Sequence, residues 1–195
     1  MHRKADILTT ARNLFSERGY HGTSMRELAK SLDLKGATLY SHIHSKEEML
    51  WEIVSLAADQ FLAQARSVPS NIPAEEQLSL LVRGHLAVIA RELDYATVFF
   101  HEWKFLEPPL RDRIRERRDQ YEAYFHRVID EGNRQGVFNV TDTRLATIFV
   151  LSALNWTYQW FHPAGSLSAE QLARQYNLLI LHALRDGLVE QLPEY

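Results

Sequence analysis

Thr23-Ser24-Met25-Arg26-Glu27-Leu28-Ala29, the turn Asp33-Leu34-Lys35-Gly36, and then Ala37-Thr38-Leu39-Tyr40-Ser41-His42-Ile43 form the stretch that decides the fold. Ser24 followed by Glu27 has the spacing of a capping box, in which a serine hydroxyl accepts from a free helical N–H while the glutamate reaches back to the cap. The helix it opens carries Leu28, Ala29 and Leu32 inward. After the turn, Leu39 and Ile43 lie one helical turn apart and pack, while small and polar side chains cover the opposite face. Ser45-Lys46-Glu47-Glu48 repeats the capping pattern and predicts the start of another helix. Two short helices joined by a tight turn and braced by longer ones are a helix-turn-helix, whose second helix enters the major groove of DNA.

Outward from this pair, apolar residues recur at helical spacing, and alternating strand-like runs are scarce. The fold class expected is all-α, about nine helices, with an N-terminal helix-turn-helix domain and a C-terminal helical domain for ligand binding and dimerisation. Ile7, Leu8, Ala11, Leu14 and Phe15 form one stripe of the first helix, which Gly19 is placed to end in a left-handed cap. The fourth helix should run over 45–66, with Met49, Leu50, Ile53, Val54, Ala57, Phe61 and Leu62 inward, as a connector between a domain at 1–50 and another at 51–195. Ser67-Val68-Pro69-Ser70-Asn71-Ile72-Pro73 is the clearest break, because each proline disfavours helix in the residue before it. Further helices are predicted over 74–93, 94–105, 109–134, 142–161 and 168–190. Their separators are Asp94, Pro108-Pro109, the 132–139 stretch and His162-Pro163-Ala164-Gly165, with Pro193 near the end. Ser168 and Gln171 make a third capping box.

Charge is divided unevenly: residues 1–50 hold eight Lys/Arg against six Asp/Glu, and 51–195 hold fourteen against nineteen. A small basic segment carried by a larger acidic one suits contact with a polyanion. Ser24, Arg26, Lys35, Tyr40, His42 and Lys46 can all donate to phosphate oxygens. Thr23 to Ala29, together with Thr38-Leu39-Tyr40-Ser41-His42-Ile43-His44-Ser45-Lys46-Glu47-Glu48, closely resembles the TetR family of regulators over about residues 5–52. The resemblance implies phosphate contacts from Thr23, Tyr40, His42 and Lys46, and groove contacts from Lys35, Gly36, Ala37, Thr38 and Ser41. It also implies a pseudo-palindromic double-stranded DNA operator and a repressor released by a small apolar effector. Ser41 and Ile43 depart from the aromatic and phenylalanine many relatives carry there, so an operator sequence cannot be transferred.

Between Tyr95 and Trp160 large aromatics are dense and interleaved with His101, Glu102, Asn155 and Gln159, a composition that suits either a packed core or an apolar cavity with a few orienting polar groups. Phe99, Trp103, Tyr121, Phe125, Asn155 and Trp156 are the candidate ligand-binding residues. The 142–161 helix is apolar on more than one face through Leu145, Ile148, Phe149, Leu151, Leu154 and Trp156. The 168–190 helix repeats this with Leu172, Tyr176, Leu179, Ile180, Leu184 and Leu188, which predicts a homodimer pairing these two helices with their copies. The run Arg111, Arg113, Arg115, Arg117 and Arg118 reads as a solvated face with intrahelical pairs or as a phosphate-binding set. His101-Glu102-Trp103, the arginines after it, and Asn155-Trp156 with Trp160 resemble a branch of the family. That branch senses acyl-CoA thioesters in fatty-acid, aromatic-acid or sterol breakdown.

With 195 residues, 46% of them hydrophobic, the chain can bury a sizeable core. The absence of cysteine removes disulfides, thiolate zinc sites and cysteine nucleophiles, and a cytoplasmic location without membrane insertion is expected. No cofactor is expected, scattered histidines do not form a metal site, and nucleophile elbows, phosphate loops and zinc-protease motifs are missing. The competing classes are a repressor of the same fold sensing amphipathic drugs, a helical enzyme acting on an apolar substrate, and a helical adaptor binding only protein.

Overall fold

The computed structural model describes residues 4–186. Among these are nine α-helices: α1 (Lys4–Arg18), α2 (Met25–Ser31), α3 (Gly36–Tyr40), α4 (Lys46–Arg66), α5 (Ala74–Arg91), α6 (Leu93–His101), α7 (Leu110–Arg134), α8 (Thr143–Asn155) and α9 (Ala169–Arg185). Short 3-10 turns follow α6 at Trp103–Phe105 and α8 at Trp156–Gln159. The chain divides into two compact units, residues 1–60 with 92–118, and residues 61–91 with 119–195.

In the first unit α1 ends as its sequence dictates. Gly19 takes φ +76 and returns its N–H to the Phe15 carbonyl, a left-handed cap that a side chain would strain. Ile7, Ala11 and Phe15 of α1, with Leu28, Leu39, Ile43, Leu50 and Ile53, are buried. Gly22 is required sterically, since a Cβ there would meet the Arg18 carbonyl oxygen at 2.2 Å. α6 packs on α1, aided by Arg12, which pairs with Glu92 at 3.5 Å and lies 4.6 Å from the Tyr95 ring centre.

The second unit is built around Leu78, Val82, Leu86, Phe125, Ile129, Phe138, Val150, Leu154 and Ile180, with α5 packed most extensively on α9. Asn139 donates its backbone N–H to the Leu184 carbonyl, which ties the connection after α7 to the end of α9.

Several boundaries differ from the sequence-based expectation. The break before α6 falls at Glu92 instead of Asp94, which belongs to the helix. The segments expected as helix to 105 and to 161 tighten into 3-10 turns after His101 and Asn155. The second helix of the pair ends at Tyr40, where an expected run to Ile43 gives way to a turn closed by the Ser41, His42 and Ile43 amides. The box expected at Ser45 is altered: its hydroxyl accepts the Glu48 N–H, but the Glu48 carboxylate takes the N–H of His44, one residue further back. The Ser168–Gln171 box forms as expected. Leu188 and Pro193 lie outside the described residues.

Candidate nucleic-acid interface

The helix pair forms for local reasons that the sequence makes explicit. The Ser24 hydroxyl accepts the Glu27 amide at 3.2 Å, while the Glu27 carboxylate accepts from the Ser24 N–H and from the Ser24 hydroxyl, each at 2.8 Å, and these two bonds to the carboxylate hold it below the usual carboxylate range. Asp33 adopts φ 52, the left-handed conformation an aspartate tolerates, and turns the chain from α2 into α3. Leu39 and Ile43 are fully buried, so the rest of the α3 segment faces outward. Lys35, Gly36, Ala37, Thr38, Tyr40 and Ser41 lie on that outer side, with Tyr40 50% exposed. Ser24 is exposed ahead of α2, and His42 is half-buried. Such a surface offers a short helix with hydroxyl, phenol and ammonium donors and no bulky apolar obstruction.

Two residues expected at phosphates are drawn inward. Thr23 is 2% exposed, its hydroxyl directed at the carbonyls of Gly19 (3.1 Å) and Leu14 (3.3 Å). Lys46 places its ammonium 2.9 Å from the Tyr20 carbonyl and 3.0 Å from that of Thr23, over the Tyr20 ring, and burial lowers its pKa. Both therefore shape the turn between α1 and α2. Sequence reasoning missed two more groups at this turn. Glu102, just past α6, is 4% exposed and accepts the Tyr20 N–H at 2.8 Å, whereas the sequence placed it among ligand-orienting groups. Phe105 stacks on Tyr20 and meets His21 edge-on. Spacing alone carried no signal for contacts some eighty residues apart.

The arginine run is largely structural within the first unit. Arg117 pairs with Asp59 at 3.0 Å and donates to the Ser55 carbonyl, Arg113 lies over Trp51, and Arg115 pairs with Asp112. Arg118 sits 5.1–5.8 Å from the ring centres of Phe99, Phe100 and Trp103.

The candidate ligand residues divide between the units. Phe99 and Trp103 surround Arg118 in the first. In the second, Tyr121 packs against Phe125, and Phe125 is fully buried in the core. Trp156 is 62% exposed on the surface, so it is not brought together with Phe125. Tyr121 also meets Phe61 and holds its hydroxyl 3.0 Å from His85 Nδ1. Burial lowers the His85 pKa to about 3, against a smaller upward pull from the Leu154 backbone, and raises the Tyr121 phenol. Both are neutral at physiological pH.

A second feature of this unit is a line of exposed apolar side chains, Leu145, Ile148, Phe149 and Trp156 along α8 with its following turn, and Leu178 and Leu179 on α9. A groove of about 380 Å³ opens beside them, lined by Val140, Leu145, Phe149, Ala183 and Leu184 among others. Among the described residues no helix is long and apolar enough to cross a membrane, and no cluster of three metal-ligating side chains occurs.

A capped helix pair with an exposed polar recognition face, carried on an all-helical chain, defines a helix-turn-helix DNA-binding protein. Residues 7–53 match the model of bacterial regulatory proteins of the tetR family, and residues 71–184 match a tetracyclin repressor-like C-terminal domain. The chain belongs to the tetR family of bacterial transcriptional regulators. It is similar to the TetR-family regulator PfmR of Thermus thermophilus, with 36% identity, a TM-score of 0.83, and 94% of this chain and 99% of that one covered. The ketosteroid transcriptional regulator KstR2 of Mycobacterium tuberculosis aligns at 26% identity and a TM-score of 0.88, covering 94% and 95% of the two chains. AibR, solved in complex with isovaleryl coenzyme A and operator DNA, aligns at 29% identity and a TM-score of 0.82, covering 96% and 100%.

Proposed function

We propose that this chain is a cytoplasmic, homodimeric repressor that holds a pseudo-palindromic operator through α2 and α3 and is released by an acyl-CoA thioester. The exposed face of the α3 segment carries the reading. Thr38 and Ser41, with the bare backbone of Gly36 and Ala37, reach base edges, while Ser24, Arg26, Lys35, Tyr40 and His42 address phosphates. Thr23 and Lys46 serve the same interface from beneath by fixing the turn ahead of α2.

Dimerisation through α8 and α9 is supported by their exposed leucines and by Phe149, apolar side chains of the kind a second copy covers. A dimer places two recognition helices in successive major grooves, roughly 34–36 Å apart. The acyl-CoA assignment is supported by the likeness to AibR, which carries isovaleryl coenzyme A. An effector releases DNA only if it binds the off-operator form more tightly.

Selection of duplexes from a random pool by the wild-type protein, followed by titration with acyl-CoAs of graded chain length, tests the proposal. An enriched two-fold sequence bound with steep salt dependence, and released by one class of acyl-CoA, is the expected result. Release only by amphipathic cations would transfer the chain to drug sensing, and thioester turnover without DNA binding would make it an enzyme.

A further inference from the structure

Glu102 is the buried carboxylate that neither DNA contact nor ligand binding accounts for. It caps α6, is 4% exposed, and spends one oxygen on the Tyr20 N–H at 2.8 Å and the other on His101 Nδ1 at 2.8 Å. Burying a carboxylate is unfavourable unless hydrogen bonds compensate for lost water, so its placement against the helix-turn-helix is a structural commitment. The other end of the same residue is held as well: the Tyr20 carbonyl accepts from Lys46, the first residue of α4, at 2.9 Å. The Tyr20 backbone is therefore gripped on its N–H side by the end of α6 and on its carbonyl side by α4. Gly19, alongside, would bring a Cβ to 3.7 Å and 3.9 Å from the two Glu102 oxygens. Thr23 donates its own N–H to the Tyr20 carbonyl, and the Ser24–Glu27 box that starts α2 follows directly, so the turn's position sets where α2 and α3 begin.

We infer that Glu102 is a positioning residue for operator recognition, a latch on the Tyr20 amide that holds the α1–α2 turn in the DNA-reading arrangement. The inference rests on the DNA-binding reading above. When the latch is lost, only a fraction of molecules keeps the turn in place, and apparent affinity falls by that fraction. A hydrogen bond to a charged group biases such an equilibrium by roughly tenfold or more.

The test compares E102Q, E102D and E102A in full-length protein, using a duplex enriched from a random pool by the wild type. Glutamine keeps the acceptor within reach but loses the charge. Aspartate keeps the charge but shortens the reach. Alanine removes both. Operator affinity is expected to fall in the order wild type, E102Q, E102D, E102A, with about tenfold or greater loss at the end. Amide exchange at Tyr20 should quicken in the same order, while the melting temperature of the second unit, residues 61–91 with 119–195, and the dimer mass stay at wild-type values. If E102A fails to fold, E102Q against E102D still decides. Wild-type affinity in E102D or E102A, or a loss without faster exchange at Tyr20, overturns the latch. A wild type that enriches no duplex overturns the DNA-binding reading and the latch with it.

Discussion

Leu179 and Leu184 share α9 but sit in opposite environments, and an aspartate at each separates assembly from folding. Leu184 is 2% exposed in the core of its own unit, whereas Leu179 is 67% exposed. Burying a whole leucine side chain contributes about 1.5–3 kcal/mol, so the exposed two-thirds of Leu179 leaves about 1–2 kcal/mol for a second chain to supply. Two-fold symmetry applies each change twice, making the loss about 2–4 kcal/mol of association. An uncompensated carboxylate in an apolar interface adds several more. At about 1.4 kcal/mol per decade, L179D should dissociate at least a hundredfold more readily, roughly. Sedimentation velocity across the micromolar range, paired with thermal melting by circular dichroism, reads both quantities. The expected L179D protein is a monomer with near-wild-type melting, while L184D loses its cooperative melt. Should L179D sediment as a dimer at low micromolar concentration, or melt as early as L184D, the assignment of the α8–α9 face is refuted.

His85 makes stability fall with acid. Its folded pKa, about 3 against an ordinary 6.5, means the unfolded chain binds the proton first; the contribution is complete above pH 6.5 and is lost progressively towards pH 3. Between about pH 7 and 4.5 wild type should lose about 2–3 kcal/mol in urea titrations that H85Q does not, and equal slopes would contradict the assignment. Removing the cap with S24A should cost about 1 kcal/mol and raise amide exchange selectively across residues 25–31. Uniform exchange along α2 in both proteins would show that tertiary packing, not the cap, holds that helix.

The helix-turn-helix was legible because its determinants are local. Ser24 and Glu27 cap a helix by their spacing, Gly19 ends one by its freedom at positive φ, and Leu28, Leu39 and Ile43 declare their buried faces by periodicity. What sequence left hidden depends on partners distant along the chain. Arg118 is placed by three aromatic rings of α6 and the turn after it, and Arg117 by Asp59 and Ser55 of α4. The even aromatic density from Tyr95 to Trp160 could not distinguish Phe125, sealed in a core, from Trp156, mostly in solvent. Residue class is the same in both cases, and only the facing helix decides.

Lys46 shows how a basic residue beside a helix-turn-helix can be held inward by the protein's own carbonyls. Swinging its ammonium to a phosphate would gain an exposed ion pair, about 0–1 kcal/mol. It would also abandon the carbonyls of Tyr20 and Thr23, residues no more than 9% exposed. The Tyr20 carbonyl would keep the Thr23 N–H, so the loss falls mainly on the Thr23 carbonyl, where an unsatisfied buried acceptor costs about 1–3 kcal/mol and favours the inward position. The desolvation that lowers its pKa is the corresponding electrostatic cost, offset by two carbonyls and the face of the Tyr20 ring. Positioning and reading are thereby divided between two layers. Beneath, Thr23, Lys46 and Glu102 fix the backbone through groups already satisfied inside the protein. Above, Lys35, Thr38, Tyr40 and Ser41 stand on the outer face, where exchange of Thr38 or Ser41 is expected to alter which sequence is read and exchange of Lys35 or Tyr40 to weaken binding across sequences, without disturbing the fold that presents them.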